Sequence, residues 1–283
     1  MTPPPAEAMA AEALTPESLG QAPGRGRLAG RRVLVVGAGT RPLPDDPEPP
    51  VGNGRAIALL AAREGAAVAC ADRDEASAAD TAGRIQAQGG RAGVLVADVT
   101  DDDACPRLVT GALDFLGGLD GLVLNVGIGA GARLEGTTPE LWDQVFAVNV
   151  RAHFLVCREA VPRMQEGGSI VFISSVAGIT PGSMLPAYDA SKAAVAGLCR
   201  HVALEGSRRR IRANVVAPGL MDTPIGRAAS RGRPSRNRTP VPLGRQGTAW
   251  EVAHMAVFLL SDEASYVTGQ TFVVDGGLSI AGL

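Results

Sequence analysis

Tyr188 and Lys192, in the stretch YDASK, are spaced for acid–base chemistry. Residues four apart on a helix share a face, so the lysine ammonium would lie near the tyrosine hydroxyl and favour its phenolate form. Lowering a tyrosine pKa from near 10 to about 7 takes roughly 4 kcal/mol of preferential phenolate stabilisation. Such a tyrosine can exchange a proton with an alcohol or a carbonyl. An ordinary amphipathic helix can carry the same spacing, so the pair alone is a weak signal.

The stretch from Gly37 to Ala56 begins and ends like a dinucleotide-binding turn but is interrupted by residues 40–51. Asp72 lies 35 residues after Gly37 and 20 after Gly52. The ribose-binding acid usually follows the glycine fingerprint by about 20 residues. We therefore predict that Gly52-Asn53-Gly54 is the working end of the turn, where glycines allow close approach of a pyrophosphate to a helix N-terminus. The alternative is a flexible loop that merely precedes a helix.

Residues 40–51 form a proline-rich, acidic insertion in that turn. Closing a loop that is a dozen residues longer costs little free energy, and prolines stiffen the inserted chain. We expect the insertion to be looped out of a working turn. Its five prolines are Pro42, Pro44, Pro47, Pro49 and Pro50.

Short apolar strands alternate with helical segments from Arg32 to Val274. This pattern predicts a single-domain α/β fold of the Rossmann type, with a doubly wound parallel seven-stranded sheet and helices on both faces. Ligands of such sheets bind beyond the carboxyl ends of the strands. The residues that follow the predicted strands are Gly37, Asp72, Asp98-Val99, Asn125-Val126-Gly127, Ser174-Ser175 and Pro218-Gly219.

Composition limits the class of protein. The chain has 283 residues, 46% of them apolar, and a net charge of −2, which argues against nucleic acid or an anionic membrane as a partner. Residues 1–29 are rich in Pro, Ala, Glu and Gly and are expected to be a disordered tail before a domain over residues 30–283. No apolar run approaches the ~18 residues of a membrane span.

Cysteine and histidine usage points away from disulfides and metals. Four cysteines lie far apart, which predicts buried thiols in a reducing compartment, the cytoplasm. The three histidines have no metal-ligand spacing, so no metal is expected. His153 falls one helical turn after Asn149, where a role in a site is possible but packing is the simpler interpretation.

Taken together, these motifs resemble the classical short-chain dehydrogenase/reductase family over about residues 28–277. The resemblance implies a catalytic Asn-Ser-Tyr-Lys tetrad. Its tyrosine and lysine match Tyr188 and Lys192, its serine, thirteen residues before the tyrosine, matches Ser175, and its asparagine matches Asn149 in FAVNV. The split glycine motif and Val36, where the family has threonine, depart from the pattern and put the pyrophosphate contact in question.

The resemblance also implies the cofactor contacts. The family's Asn-Ala-Gly motif appears as Asn125-Val126-Gly127, and Asp98-Val99 matches the pair that brackets the adenine. Pro218-Gly219 and Thr223 match the residues near the nicotinamide. Together with Tyr188, Lys192 and the turn, the full set of predicted cofactor contacts is Gly37, Gly52, Asn53, Gly54, Asp72, Arg73, Asp98, Val99, Asn125, Val126, Gly127, Tyr188, Lys192, Pro218, Gly219 and Thr223.

The implied reaction is hydride exchange between a nicotinamide and a secondary alcohol or ketone. Asp72 favours NAD because a carboxylate accepts hydrogen bonds from the ribose hydroxyl groups and repels the 2′-phosphate of NADP. Arg73 could instead bind that phosphate, and the alternative of an NADPH-dependent ketone or imine reductase therefore stays open. A dinucleotide-binding regulator without turnover is the non-enzymatic alternative. The resemblance further implies a homotetramer or homodimer acting on a small molecule.

Residues 220–250 match the family's substrate lid and are rich in arginine. The segment either binds an anionic substrate or is a solvated basic loop, and the second interpretation is favoured. Its arginines are Arg227, Arg231, Arg233, Arg236, Arg238 and Arg245.

Overall fold

A seven-stranded parallel sheet organises the protein, as predicted. The computed structural model describes residues 14–43, 46, 49–231 and 241–281. The strand order is β3-β2-β1-β4-β5-β6-β9, and every neighbouring pair is parallel. The order reverses direction between β1 and β4, so the crevice at the carboxyl ends of these two strands is where a ligand is expected.

The elements follow one another as alternating strands and helices. The strands are β1 Arg32–Val36, β2 Ala67–Asp72, β3 Ala92–Val96, β4 Gly121–Leu124, β5 Ser169–Ile173, β6 Arg212–Pro218, β7 Met221–Asp222, β8 Gly247–Thr248 and β9 Thr271–Val274. The α-helices are α1 Asn53–Arg63, α2 Glu75–Ala87, α3 Ala104–Leu116, α4 Pro139–Phe146, α5 Ala152–Ala160, α6 Pro186–Gly206, α7 Pro224–Arg231 and α8 Ala249–Leu260.

Helices cover both faces of the sheet, which explains why the strands are mostly apolar. In β1, Val33 and Val35 belong to a core with α1, α2 and α8, whereas Leu34 and Val36 belong to a second core with α3, α5 and α6. Side chains of a strand alternate between faces, so a strand that is buried on both sides has few polar residues. All four cysteines are buried and unpaired, as expected for thiols.

The helical run from Pro139 to Arg163 is not a continuous α-helix. A π-helical segment, Ala147–Arg151, separates α4 from α5, and a 3₁₀ turn, Val161–Arg163, follows α5. A π segment widens the helix by one residue, and such segments are frequent at functional sites. Here it contains Asn149.

Residues 14–29 differ from the expected disordered tail. Leu28 is fully buried, and Arg63 of α1 donates to the carbonyl oxygen of Gly20 at 2.7 Å. Arg27 pairs with the nearly buried Glu64 at 2.6 Å. A few anchors therefore hold a polar segment against α1 although its composition resembles that of a linker. Residues 1–13 lie outside the described residues.

Residues 220–250, which match the family's lid, contain structure that the sequence did not predict. Short strands β7 and β8 pair in parallel, and α7 lies between them in sequence. Thr223 accepts a hydrogen bond from the Gly226 N–H at 3.1 Å and so stabilises the first turn of α7. Arg233, Arg236 and Arg238 lie outside the described residues. Among the helices that the structure describes, none is long and apolar enough to cross a membrane.

Candidate active site

Two glycines bring the interrupted turn and α1 into direct contact. Gly37 has a φ of +85°, a region that favours glycine, and a β-carbon on Gly54 would lie 1.8 Å from the Gly37 carbonyl oxygen. The side-chain amide of Asn125 donates to that same oxygen at 2.8 Å. The turn after β1 is thus held against the turn after β4.

The insertion leaves and returns at one point. The Gly52 N–H donates to the Thr40 hydroxyl at 3.3 Å, and the Thr40 N–H donates to the Ser77 hydroxyl at 2.7 Å. The first residue of the insertion therefore lies next to Gly52, and α1 begins directly after Gly52 without a side-chain cap. An uncapped helix N-terminus next to two glycines suits an anion.

Asp72 ends β2 beside this turn. Its Oδ2 accepts a hydrogen bond from the Gly39 N–H at 2.9 Å, and the side chain is half-buried. Arg73 is exposed beside it. After β3, Asp98 is exposed and accepts from the backbone and hydroxyl of Thr100, which lowers the pKa of its carboxyl, while Val99 is buried.

Tyr188 and Lys192 share a face of α6, as their spacing predicts. The Lys192 ammonium lies 5.7 Å from the centre of the Tyr188 ring and donates to the Ile173 carbonyl oxygen at 3.0 Å. Lys192 is 4% exposed, and burial lowers its pKa to about 8. This amine therefore loses its proton at a lower pH than an exposed lysine does, but it is still mostly charged at pH 7.

Ser175 lies just beyond β5 and follows Ser174, whose hydroxyl donates to the Lys192 carbonyl oxygen at 2.7 Å. Its hydroxyl accepts from the Ala177 N–H at 3.2 Å and begins a 3₁₀ turn, Val176–Gly178. A β-carbon on Gly178 would lie 2.6 Å from the Lys192 backbone, so glycine permits this turn to pack on the helix. The serine is half-buried rather than enclosed.

Asn149 is fully buried and ties three elements together. Its amide accepts from the Ile128 N–H at 2.8 Å and donates to the Ile128 carbonyl oxygen at 2.9 Å. It also donates to the Ser191 hydroxyl at 2.9 Å, which in turn donates to the Tyr188 carbonyl oxygen at 2.8 Å. The π segment thus connects the turn after β4 to the first turn of α6. No motif or spacing in the sequence singled out Ser191.

His153 contacts the same turn. Its Nε2 lies 3.1 Å from the Val126 carbonyl oxygen, and the side chain is fully buried. Burial, with a smaller effect of the Lys192 charge, lowers its pKa to about 3. The ring is therefore neutral at ordinary pH. A position one turn after Asn149 was the only signal that the sequence offered for this residue.

The remaining predicted contacts lie at the same edge of the sheet. A β-carbon on Gly127 would lie 3.0 Å from the Lys192 ammonium and 3.5 Å from the Asn149 oxygen, so these three residues converge. Pro218 ends β6, and the Gly219 N–H donates to Val274 at 2.9 Å. Thr223 is buried at the start of α7. Among the described residues, no group of three metal-binding side chains is close enough to hold an ion.

The crevice fits a dinucleotide. The close approach of Gly54 to Gly37 leaves backbone, rather than side chain, at the start of α1. The side-chain oxygen of Asn53, the first residue of that helix, is buried and has no partner among the described residues. A ligand with hydroxyl groups can satisfy such an acceptor, because buried polar atoms are normally hydrogen-bonded.

Comparison with known proteins decides the family. A family model described as enoyl-(acyl carrier protein) reductase matches residues 51–279, which is most of the chain. The chain belongs to the classical short-chain dehydrogenase/reductase family. Members of this family are oxidoreductases that use NAD or NADP, act on small molecules and are typically oligomeric.

Three of the similar proteins illustrate this membership. The 3-oxoacyl-(acyl-carrier-protein) reductase FabG of Thermotoga maritima is 38% identical over 256 residues, 90% of this chain and 100% of that protein. Glucose 1-dehydrogenase of Gluconobacter oxydans is 36% identical over 92% of this chain and 96% of its own. The crystal structure of a dehydrogenase/reductase from Sinorhizobium meliloti 1021 superimposes with a TM-score of 0.81 at 33% identity, covering 89% and 97% of the two chains.

Proposed function

We propose that this short-chain dehydrogenase/reductase exchanges a hydride between NAD(H) and a secondary alcohol or ketone. The observation that carries the proposal is the Tyr188–Lys192 pair, connected through Ser191 to the buried Asn149. Such a network holds an acid–base group in one position at the crevice. When bound, the nicotinamide supplies or accepts the hydride.

Each member of the tetrad has a role that suits its surroundings. Tyr188 takes or gives the hydroxyl proton of the substrate, and the Lys192 ammonium, 5.7 Å from its ring centre, favours the phenolate. Ser175, half-buried beyond β5, donates a hydrogen bond to the substrate oxygen. Asn149 fixes the positions of Ile128 and Tyr188.

Residues of the glycine turn and the strand ends would hold the cofactor. The pyrophosphate would lie against Gly37, Gly52, Asn53 and Gly54. Asp72 would accept hydrogen bonds from the hydroxyl groups of the adenosine ribose, which favours NAD over NADP. The residues proposed for the adenine and nicotinamide ends are Arg73, Asp98, Val99, Asn125, Val126, Gly127, Pro218, Gly219 and Thr223.

The ion pairs of two lid arginines favour a neutral substrate. Arg227 pairs with Asp222 at 2.6 Å, and Arg245 pairs with Glu251 at 2.6 Å. Carboxylates therefore already neutralise these two arginines. We propose further that the protein acts as a homotetramer or homodimer, a form in which the exposed Phe154 of α5 would be covered.

A thermal-shift titration with NAD⁺, NADH, NADP⁺ and NADPH tests the cofactor. A ligand at 100 times its Kd stabilises the folded state by about 2.7 kcal/mol. We expect a shift with NADH and a much smaller one with NADPH. A larger shift with NADPH would favour the alternative reductase that uses Arg73. No shift with any of the four would favour the non-catalytic regulator.

Substitution of the proposed acid–base group tests the chemistry. Tyr188→Phe removes the hydroxyl and keeps the ring, so it should reduce turnover of a ketone panel about a thousandfold, the order that a positioned proton-transfer group supplies, and leave the NADH-induced shift unchanged. Turnover within tenfold of the wild type would refute the assignment of Tyr188.

A further inference from the structure

The N-terminal segment, residues 14–29, bonds the start of α8. The Ser18 hydroxyl donates to Glu251 Oε1 at 3.1 Å, and the Thr248 hydroxyl donates to the Ser18 carbonyl oxygen at 2.7 Å. Ser18 is only 6% exposed. Its hydroxyl and its carbonyl oxygen are therefore both used to hold the segment against the N-terminal end of α8.

A tryptophan of α8 provides a second contact with the segment. A β-carbon on Gly20 would lie 2.1 Å from the Trp250 indole, and Gly20 has a φ of +68°. Arg63 of α1 lies over the same ring, 5.4 Å from its centre, and donates to the Gly20 carbonyl oxygen at 2.7 Å. Both the backbone conformation and the space beside Trp250 therefore require glycine at this position.

The contacts continue from α8 to β8. Glu251 accepts hydrogen bonds from the Thr248 N–H at 2.8 Å and from two nitrogens of Arg245 at 2.6 and 3.0 Å. The Gly247 N–H, at the start of β8, donates to the Leu220 carbonyl oxygen at 3.0 Å. The strand β8 thus lies between the N-terminal end of α8 and the chain that follows β6.

The strand β7, which pairs with β8, leads directly to a proposed cofactor contact. Thr223 follows β7 and is one of the residues proposed for the nicotinamide end. A β-carbon on Gly247 would lie 2.5 Å from the Met221 sulphur, so the two short strands are in close contact. A ladder of two residue pairs is only marginally stable by itself. The position of β7 therefore depends on what holds β8 from its other side.

We propose that the N-terminal segment holds β8 against β7 through Ser18 and Gly20 and thereby positions Thr223 for the nicotinamide. Ser18 and Gly20 are positioning residues, since they act through α8 and the two short strands. The inference rests on the proposed function, because it assumes that NAD(H) occupies the crevice. The chemical step is left to the tetrad.

Gly20→Ala tests the contact with α8. The new β-carbon would clash with Trp250 and move the segment away, while every proposed crevice residue keeps its identity. Displacement of Thr223 weakens its contact with the nicotinamide, so the Kd of NADH should rise about fivefold, the order of one hydrogen bond. ADP-ribose, which lacks the nicotinamide, should keep its Kd, whereas a general loosening of the protein would weaken both ligands. Isothermal titration calorimetry measures both constants.

The rate of hydride transfer gives a second measurement on the same variant. In a single turnover with the ketone that the wild type reduces fastest, this rate should fall about tenfold, because misplacement by about 1 Å can cost about a hundredfold. Both measurements are made well below the temperature at which the variant unfolds.

A matched control lies in the same segment. Gly26 has a φ of +75°, and a β-carbon there would have no atom of the described residues within 4 Å. Gly26→Ala therefore strains the backbone in the same way without a clash with α8, and it should keep the wild-type rate and both Kd values. Equal changes in Gly26→Ala and Gly20→Ala would overturn the inference, as would an unchanged Kd of NADH in Gly20→Ala.

A milder variant keeps the test independent of the clash. Ser18→Ala removes the bond to Glu251 and should raise the Kd of NADH about twofold, with that of ADP-ribose unchanged. An equal rise for both ligands would overturn the inference. If the wild type binds NADH and neither variant alters its Kd, only the inference fails. If the wild type binds neither NADH nor NADPH, the proposed function fails with it.

Discussion

His153 places its Nε2 3.1 Å from the carbonyl oxygen of Val126, while Asn149, one turn earlier, bonds both backbone groups of Ile128. Two side chains from neighbouring turns of one helical run therefore fix the backbone on either side of Gly127. That glycine lies against the Lys192 ammonium. The shape of the crevice wall at this point depends on residues beneath it that need not touch a ligand.

Replacement of His153 should lower the free energy of unfolding, and it should do so less when the new side chain can still donate a hydrogen bond. His153→Leu leaves the Val126 carbonyl without its partner in a buried site, which costs about 1–3 kcal/mol of unfolding free energy. His153→Gln retains an N–H that can reach the same oxygen and should lose less. Urea denaturation of the three proteins measures the difference. An equal loss in both variants would show that packing, rather than the hydrogen bond, determines the effect.

Acid should destabilise the wild type partly through His153. The folded-state pKa of about 3 lies below the ordinary value of 6.5, so between these values the unfolded chain binds a proton that the folded protein does not. Stability is therefore unaffected above pH 6.5 and falls as the pH decreases below it. From pH 7 to pH 5 the wild type should lose about 2 kcal/mol more than His153→Gln. Parallel losses in thermal or urea unfolding would contradict the assigned protonation state.

Ser191→Ala should reduce turnover more than it reduces stability. The Ser191 hydroxyl connects Asn149 to the Tyr188 carbonyl, so its loss frees the turn that carries the proposed acid–base group. We expect kcat to fall about tenfold, the order of a small misplacement of a reacting group, with the KM for NADH little changed.

The control for this prediction lies at the other end of the same helix. The Ser207 hydroxyl donates to Leu204, also three residues earlier, on the exposed surface. Ser207→Ala should keep wild-type kinetics. If both alanine variants behaved alike, the link through Ser191 would have no special role in positioning Tyr188.

The lid should not raise kcat/KM for acidic substrates above the value for neutral ones. Arg227 and Arg245 already bond carboxylates of the protein, and an anion would have to displace them. Across matched pairs of neutral and carboxylate-bearing ketones, we expect kcat/KM for the acid to be no higher than for its neutral partner. A tenfold advantage for the acids, lost at high salt, would instead support an anion site.

The sequence predicted those features that depend on the types and spacing of neighbouring residues. Seven apolar runs indicated the strands, and the spacing of Tyr188 and Lys192 indicated a shared helix face, because strand burial and helical period are properties of neighbouring residues. The offset of Asp72 from Gly52 likewise revealed the insertion point, since the strand and helix that flank the turn keep their lengths.

Contacts between distant segments could not be predicted in this way. The pairing of Asp46 with Arg227 joins two loops with no shared pattern, and the π segment at Asn149 depends on a partner, Ile128, in another element. Leu28 and Arg27 anchor a segment whose composition is that of a disordered tail. Composition averages over residues, whereas a few well-placed anchors are enough to order a short segment.

The hydrogen bond between Thr40 and Gly52 has a consequence for how such a chain can arise. Since the ends of the insertion already meet, a shorter ancestor or relative could lack the intervening residues and keep the same path through the turn. Gain or loss of the segment is then a single genetic event that leaves the Rossmann loop intact. The site is a natural position at which protein engineers can exchange loops of different length and charge.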